Sequence, residues 1–165
     1  MFNYRGFQFS RSFEKNFPEC LKKTVLLGNL PDPKKPAAAV VGARMCSPYG
    51  RCQAFKYART MASYGVQIIS GMARGIDAEG HKGALDTDTP TFAVLGSGVD
   101  VCYPNSNRWL YQRILEKGGG IISELPPGSP PVNWAFPARN RIISGLSDAV
   151  LVVEAKEQMW FFDHC

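Results

Sequence analysis

The chain has 165 residues, 45% of them hydrophobic, which suffices for one domain with a substantial core and is too short to expect two. No apolar run approaches the ~20 residues that span a bilayer and the first residues do not resemble a signal peptide, so we expect a cytoplasmic protein. Five cysteines without a CxxC pair indicate neither a disulfide framework nor a zinc site, and a formal charge of +5 weakly favours a polyanionic partner.

Residues 1–36 are predicted to form an irregular N-terminal arm. Aromatic residues recur through its first half, and three prolines follow near its end. Large aromatic side chains are more often buried than exposed, so we expect these rings to pack onto the domain.

From residue 37 onward, short apolar runs alternate with helix-length segments. The runs are 38–41, 66–69, 91–95, 120–123 and 149–153. They lack polar alternation, which is typical of parallel strands buried on both faces. The segments between them carry charges and have apolar residues at helical spacing; they are 48–64, 76–85, 107–117 and 139–146. This order predicts a doubly wound α/β fold with a mostly parallel sheet.

A glycine-rich elbow, residues 69–77, joins the second predicted strand to the next helix. Gly71 and Gly75 lack the Cβ atoms that would hold a phosphate away from backbone N–H groups, and the following helix directs its positive dipole end there. Arg74 adds a positive charge, whereas Asp77 is interpreted as a cap or as the partner of an arginine. The elbow predicts an anionic ligand; a tight structural turn is the alternative.

Four arginines lie in the loops beyond the predicted strands, where doubly wound sheets bind their ligands. They are Arg44, Arg74, Arg139 and Arg141. Each one alone is more often a surface charge or a member of an ion pair. Because the predicted topology brings all four to one edge, we expect them to form a positive crevice that binds phosphate.

Two serines and three aromatic residues lie in the same loops. Ser47 and Ser70 are candidate donors to phosphate, although Ser47, which precedes a proline, is equally well explained as a helix N-cap. Tyr103, Trp134 and Phe136 are candidates to stack on bases. The alternative, which we favour for Trp134 and Phe136, is that they fill the core beneath long loops.

Side chains suited to catalysis are few. His81 lies within a predicted helix and is interpreted as a structural residue, and no paired carboxylates or activated nucleophile are recognisable from spacing. The Gly96-x-Gly98 pair lacks the third glycine of a dinucleotide fingerprint. We therefore expect no catalytic residue, no metal and no cofactor, and a site that binds rather than reacts.

Four segments, in order, resemble motifs of the DNA-processing protein A family (DprA or Smf). They are residues 41–44 (VGAR), 70–77 (SGMARGID), 94–98 (VLGSG) and 136–147 (FPARNRIISGLS). The resemblance covers roughly residues 36 to 156. It implies a Rossmann-like core that binds single-stranded DNA and delivers it to the RecA recombinase during natural transformation, without a catalytic step.

The resemblance also assigns site residues. Arg44 and the Arg139–Arg141 segment would line a DNA pocket, and the elbow would face phosphate. The candidate DNA- and phosphate-binding residues are Gly42, Ala43, Arg44, Ser47, Ser70, Gly71, Arg74, Gly75, Gly96, Gly98, Arg139, Asn140 and Arg141.

Three features depart from the family pattern. Ala43 stands where serine is frequent and Asn105 where lysine is frequent, so a cation is missing that Arg108 replaces only in part, and DNA affinity is expected to be lower. Residues 37–156 then form the Rossmann-like domain, and 157–165 form an atypical tail that suggests a truncated or frameshifted product. The family's later segments carry self-association and RecA contact, so neither a homodimer nor RecA loading is assured, and the sheet would keep an unpaired edge.

Two alternatives remain open at this stage. Related Rossmann-like folds cleave the N-glycosidic bond of nucleoside monophosphates, but residues 118–120 with Glu124 match their Pro-Gly-Gly-x-Gly-Thr loop poorly. A degraded gene product without a stable fold is the other.

Overall fold

The computed structural model describes residues 2–4, 7–9 and 24–155. Its strands are β1 (Phe2–Tyr4), β2 (Phe7–Phe9), β3 (Val25–Gly28), β4 (Ala37–Val41), β5 (Gln67–Ser70), β6 (Thr91–Val94), β7 (Gly120–Ser123) and β8 (Ala149–Val152). Its α-helices are α1 (Pro48–Ser63), α2 (Ile76–Leu85), α3 (Arg108–Glu116) and α4 (Ala135–Gly145), and a short 3₁₀ helix, Asn105–Asn107, precedes α3.

One sheet contains all the described strands, in the order β1-β2-β3-β7-β6-β5-β4-β8. Strands β4 to β8 run parallel to one another, and β4, which lies next to the edge strand β8, pairs with both β5 and β8, so that Ala39 lies between Ile69 and Val150. The chain order therefore reverses at β4, which makes the fold doubly wound and Rossmann-like. The prediction of a mostly parallel α/β sheet is confirmed.

The N-terminal region is less irregular than expected. Strand β3 pairs antiparallel with β7, with Leu26 opposite Ile122, and β1 and β2 extend the sheet beyond it. The predicted packing of the arm's aromatic rings concerns side chains that the structure does not describe, and residues 157–165 lie outside the described residues.

Helices cover both faces of the sheet. On one face, α1, α2 and α3 pack on side chains such as Ile68 and Ile121. Helix α1 buries Gly50, Ala54, Ala58 and Ala62, four residues apart, and these small side chains allow close contact with α2. On the other face, α4 buries Ile142 and Ile143 against the neighbouring strand residues. No described helix is long and apolar enough to cross a membrane.

Helix α4 begins at Ala135, four residues earlier than predicted. Pro137 lies in its first turn, where a proline is tolerated because those N–H groups have no helical partner. The early start places Arg139 one turn inside the helix.

Candidate functional site

An open cavity of about 600 Å³ lies beyond the carboxyl ends of β4, β5 and β6. This volume is within the range of ligand-binding pockets. Its lining residues are Arg44, Met45, Gly71, Ala73, Arg74, Tyr103, Pro104, Asn105, Phe136 and Arg139. Three of the four arginines predicted to converge therefore do so.

Arg44 and Arg74 form the exposed rim of the cavity. Both side chains are exposed, and neither has an acidic partner among the described residues. Unpaired guanidinium groups retain their donors for an incoming anion.

Arg139 lies at the floor of the cavity with only 7% of its surface exposed. Its Nη1 donates to the backbone oxygens of Gly71, at 2.6 Å, and Val94, and its Nε donates to Asn140 Oδ1 at 3.1 Å. No partner for Nη2 is found in the described part of the chain. A buried guanidinium is thus held by strand-end carbonyls, with one terminal nitrogen left for a ligand.

Two charged side chains, Asp77 and Arg44, act on the charge of Arg139 in opposite directions. Burial lowers its pKa to about 10, Asp77 opposes this decrease and Arg44 adds to it. Burial raises the pKa of the Asp77 carboxyl, whereas Arg139 and the backbone N–H groups around the elbow lower it. Arg44 and Arg139 repel each other as like charges, and an anion bound between them in the cavity would relieve that repulsion.

Asp77 and His81 are buried beneath this site, one helical turn apart on α2. Asp77 Oδ2 accepts from the Gly71 N–H at 3.2 Å, which agrees with its interpretation as a cap of the elbow. Thr91 Oγ1 donates to Ile68 O at 2.6 Å and so accepts from His81 Nδ1, 2.8 Å away. Burial together with Arg139 lowers the pKa of His81 to about 3, so the ring is neutral near pH 7 and its one proton lies on Nδ1 rather than on Nε2.

Aromatic rings form one wall of the cavity. The rings of Tyr103 and Phe136 lie 5.5 Å apart, tilted by 37°, and the Arg44 guanidinium lies 5.2 Å from the Phe136 centroid. Phe136 therefore faces the cavity. The core-filling interpretation is also wrong for Trp134, whose surface is 66% exposed.

The glycines of the elbow make room for protein groups. A Cβ on Gly71 would meet the Arg139 guanidinium, 2.6 Å from Nη1 and closer still to Cζ and Nη2. Gly75 has φ +76° and packs against the backbone oxygens of Ala43 and Arg44. Close packing around the cavity is therefore one reason for glycine at these two positions, and the predicted access of phosphate to the backbone stays a prediction.

The start of α1 is already occupied by an anionic side chain. Ser47 Oγ accepts from Gly50 N at 2.9 Å, so Ser47 is an N-cap, and it donates to Glu154 Oε2 at 2.8 Å. The Ser47 N–H also donates to the Glu154 carboxylate, at 3.0 Å and 3.1 Å. Ser47 has no donor left for a phosphate.

Several other predicted site residues do not face the cavity. Ser70 is fully buried and donates to Val40 O at 2.6 Å, and Arg141 pairs with Glu124 at 2.5 Å outside the lining. The rest are packed within the fold around the cavity: Gly42, Ala43, Gly75, Gly96, Gly98 and Asn140.

Sequence reasoning missed Met45, Ala73 and Pro104 of the lining. It also missed Asn107, whose Nδ2 donates to Met72 O at 2.8 Å and holds the elbow in place. Arg108, proposed to replace a missing cation, is not among the lining residues. The glycine run 118–120 precedes or begins β7 and thus lies at the opposite end of the sheet.

The described residues contain no cluster of three or more His, Cys, Asp or Glu side chains that could hold a metal ion. The site is defined instead by guanidinium groups, aromatic rings and backbone. These features describe a Rossmann-like α/β domain with a cationic cavity at the carboxyl edge of its sheet.

Comparison with known proteins gives the family. A family model described as DNA recombination-mediator protein A matches residues 8–159, and the chain belongs to this family. Protein Smf of Escherichia coli is 49% identical over 117 residues, which cover 71% of this chain and 31% of that protein. The chain spans between 30% and 47% of the length of the curated relatives that it matches.

Two solved structures share the fold. The X-ray structure of DNA processing protein A (DprA) from Streptococcus pneumoniae matches with a TM-score of 0.76 and 37% identity, over 87% of this chain and 53% of that chain. A structure of DNA processing protein A from Helicobacter pylori, described for its single-stranded DNA binding mode, matches with a TM-score of 0.78 and 28% identity, over 93% and 72%.

Proposed function

We propose that this chain binds single-stranded DNA in the cavity, as part of DNA processing during natural transformation. The observation that carries the proposal is the convergence of Arg44, Arg74 and Arg139, none of which forms an ion pair with an acidic side chain of the described residues. The binding mode described for the Helicobacter pylori relative supports the same ligand class. The bound strand is held and released chemically unchanged.

The buried and the exposed arginines would bind phosphate in different ways. Arg139 supplies a fixed donor at the cavity floor, because its other nitrogens are held by Gly71, Val94 and Asn140. Arg44 and Arg74, at the exposed rim, adjust to the path of the strand. Contacts of this kind follow the sugar-phosphate backbone and read no sequence.

The aromatic wall supplies a surface for a base. Tyr103 and Phe136 present ring faces or edges beside the cationic rim, and Arg44 lies over one of the rings. Stacking on aromatic side chains tolerates every base and suits a single strand, whose bases are free to leave the backbone. A base and its flanking phosphates would thus be bound together.

Delivery of the strand to RecA, self-association and a cytoplasmic location are further parts of this proposal. They are supported by membership of the family alone. Mixing the chain with RecA and pre-bound DNA, and measuring filament formation, tests the delivery step separately from binding.

Binding is tested with a labelled oligo-dT and two charge-matched variants. Arg44→Ala should weaken binding about tenfold, because a charge-assisted contact to phosphate is lost. Arg141→Ala removes the same charge from a side chain that pairs with Glu124 outside the cavity, and should bind as the parent does.

Two outcomes would contradict the proposal. One is an equal loss of affinity in both variants, which would indicate a diffuse charge effect. The other is equally tight binding of an oligonucleotide with an uncharged methylphosphonate backbone, because phosphate contacts would then contribute nothing.

A further inference from the structure

The outer face of α1 is unusually free of negative charge. The sequence has no aspartate or glutamate between Asp32 and Asp77, but it has seven lysines and arginines there. Helix α1 contains three of these cations and no acidic residue. Arg59 pairs with Asp86 at 2.6 Å, whereas Arg51 and Lys56 have no ion pair within the described residues.

A single exposed stripe runs along this helix. Tyr49, Cys52, Lys56 and Thr60 follow the spacing i, i+3, i+7, i+11, which places them on one face, and all four are exposed. The Tyr49 side chain has 73% of its surface exposed. The stripe thus presents an aromatic ring and, about 10 Å further along the axis, an unpaired cation.

The stripe begins at the edge of the cavity. Met45 lines the cavity and has 79% of its surface exposed, and it precedes Tyr49 by four residues. The acidic group near this point is Glu154, whose carboxylate is engaged by the N–H and hydroxyl groups of Ser47 on the Gly50 side of the helix. Cationic and aromatic surface therefore continues from the rim of the cavity onto α1.

We propose that a DNA strand held in the cavity continues along the outer face of α1, with a base on Tyr49 and a backbone phosphate on Lys56. This inference rests on the proposed function. An exposed tyrosine followed along the helix by an exposed lysine matches the alternation of base and phosphate along a single strand. It also gives a reason why Lys56 has no acidic partner in the described part of the chain.

The inference makes binding dependent on strand length. An oligo-dT of about 4 nucleotides would fill the cavity alone, whereas one of about 16 would reach α1; these lengths bracket the site sizes of single-strand binding domains. Tyr49→Ala should weaken binding of the longer oligonucleotide about fivefold to 150-fold, which corresponds to the loss of one base stacked on an aromatic ring. The shorter oligonucleotide should bind unchanged.

Two matched controls separate this path from general effects. Tyr64→Ala removes an equally exposed tyrosine at the far end of α1, about 22 Å from Tyr49, and should bind both lengths as the parent does. Lys56→Glu should weaken binding of the longer oligonucleotide. It should also reduce, by about 0.7, the magnitude of the slope of the logarithm of the association constant against the logarithm of salt concentration. Lys34→Glu makes the same charge change in the loop before β4, at the opposite end of the sheet, and should have little effect.

The outcomes are distinct. Unchanged binding of the longer oligonucleotide to Tyr49→Ala, or equal effects of Lys34→Glu and Lys56→Glu, would overturn the path along α1 and leave the cavity intact. Failure of the parent chain to bind either length would overturn the proposed function itself. Loss on both lengths in Tyr49→Ala would place Tyr49 inside the cavity site and so also contradict the inference.

Discussion

Replacement of Gly71 by alanine tests whether this glycine exists to house the Arg139 guanidinium. The backbone of Gly71 is not in the left-handed region, so alanine introduces no backbone strain there, and the cost comes from the contact of its Cβ with Arg139. The guanidinium must leave its place, and it then loses its bonds to Gly71 O and Val94 O.

The size of this effect follows from those two bonds. A hydrogen bond that involves a charged group is worth about 1.5–3 kcal/mol, so two set an upper bound of about 6 kcal/mol. The displaced group would be solvated in the open cavity, and we therefore expect a loss of about 3 kcal/mol in the free energy of unfolding. Urea denaturation of Gly71→Ala, followed by fluorescence and circular dichroism, measures it.

A double-mutant cycle with Arg139→Ala isolates the contact. In the Arg139→Ala background the added methyl group meets no guanidinium, so Gly71→Ala should cost less than about 1 kcal/mol. If Gly71→Ala costs the same in both backgrounds, the two residues are independent and the explanation of Gly71 is wrong.

Three further predictions concern the cap, a buried histidine and the aromatic wall. Ser47→Ala should lower the free energy of unfolding by about 1–2 kcal/mol, because it removes the N-cap of α1 and a bond to Glu154; an unchanged denaturation midpoint would refute the assignment. Burial lowers the pKa of His81 from 6.5 to about 3, so between these pH values the unfolded chain binds a proton that the folded chain does not. The free energy of unfolding is therefore unaffected by His81 above pH 6.5 and decreases as the pH falls toward 3. The loss is at most roughly 5 kcal/mol, and the pH dependence of unfolding should be shallower in His81→Gln than in the parent. Phe136→Ala should weaken oligo-dT binding about tenfold, whereas Trp109→Ala, a change at an exposed ring on α3, should leave affinity unchanged; equal losses would remove the aromatic wall from the site.

The parallel part of the sheet was predictable because its strands β4 to β7 are buried on both faces. Runs such as 38–41 and 120–123 carry no polar alternation, and the structure places β4 and β7 there. Strands β1 and β2 have only three residues each, too few for a periodic signal. The apolar run 25–27 is the signal that could have identified β3.

The cavity residues that could be predicted are those whose positions depend on the sheet topology alone. Arg44 and Arg74 follow strands directly, and parallel strands end at one edge. Arg141 lies two residues after Arg139 on α4, and about 200° of rotation turns it away from the cavity. Its pairing with Glu124 depends on the path of a long loop, which no periodicity reveals.

The role of each glycine was beyond sequence reasoning for a different reason. A glycine shows that a neighbour approaches closely, but not which neighbour. At Gly71 the neighbour is the side chain of Arg139, 68 residues away in the chain. Ser47 likewise has two plausible roles in sequence, and only the position of Glu154 distinguishes them.

The salt dependence of oligo-dT binding tests the central claim that Arg44, Arg74 and Arg139 jointly bind the phosphates of one strand. With about three phosphates neutralised at roughly 0.7 each, the logarithm of the association constant should fall against the logarithm of salt concentration with a slope near −2. Arg44→Ala should reduce the magnitude of that slope by about 0.7. A slope near zero, or one that Arg44→Ala leaves unchanged, would contradict the account.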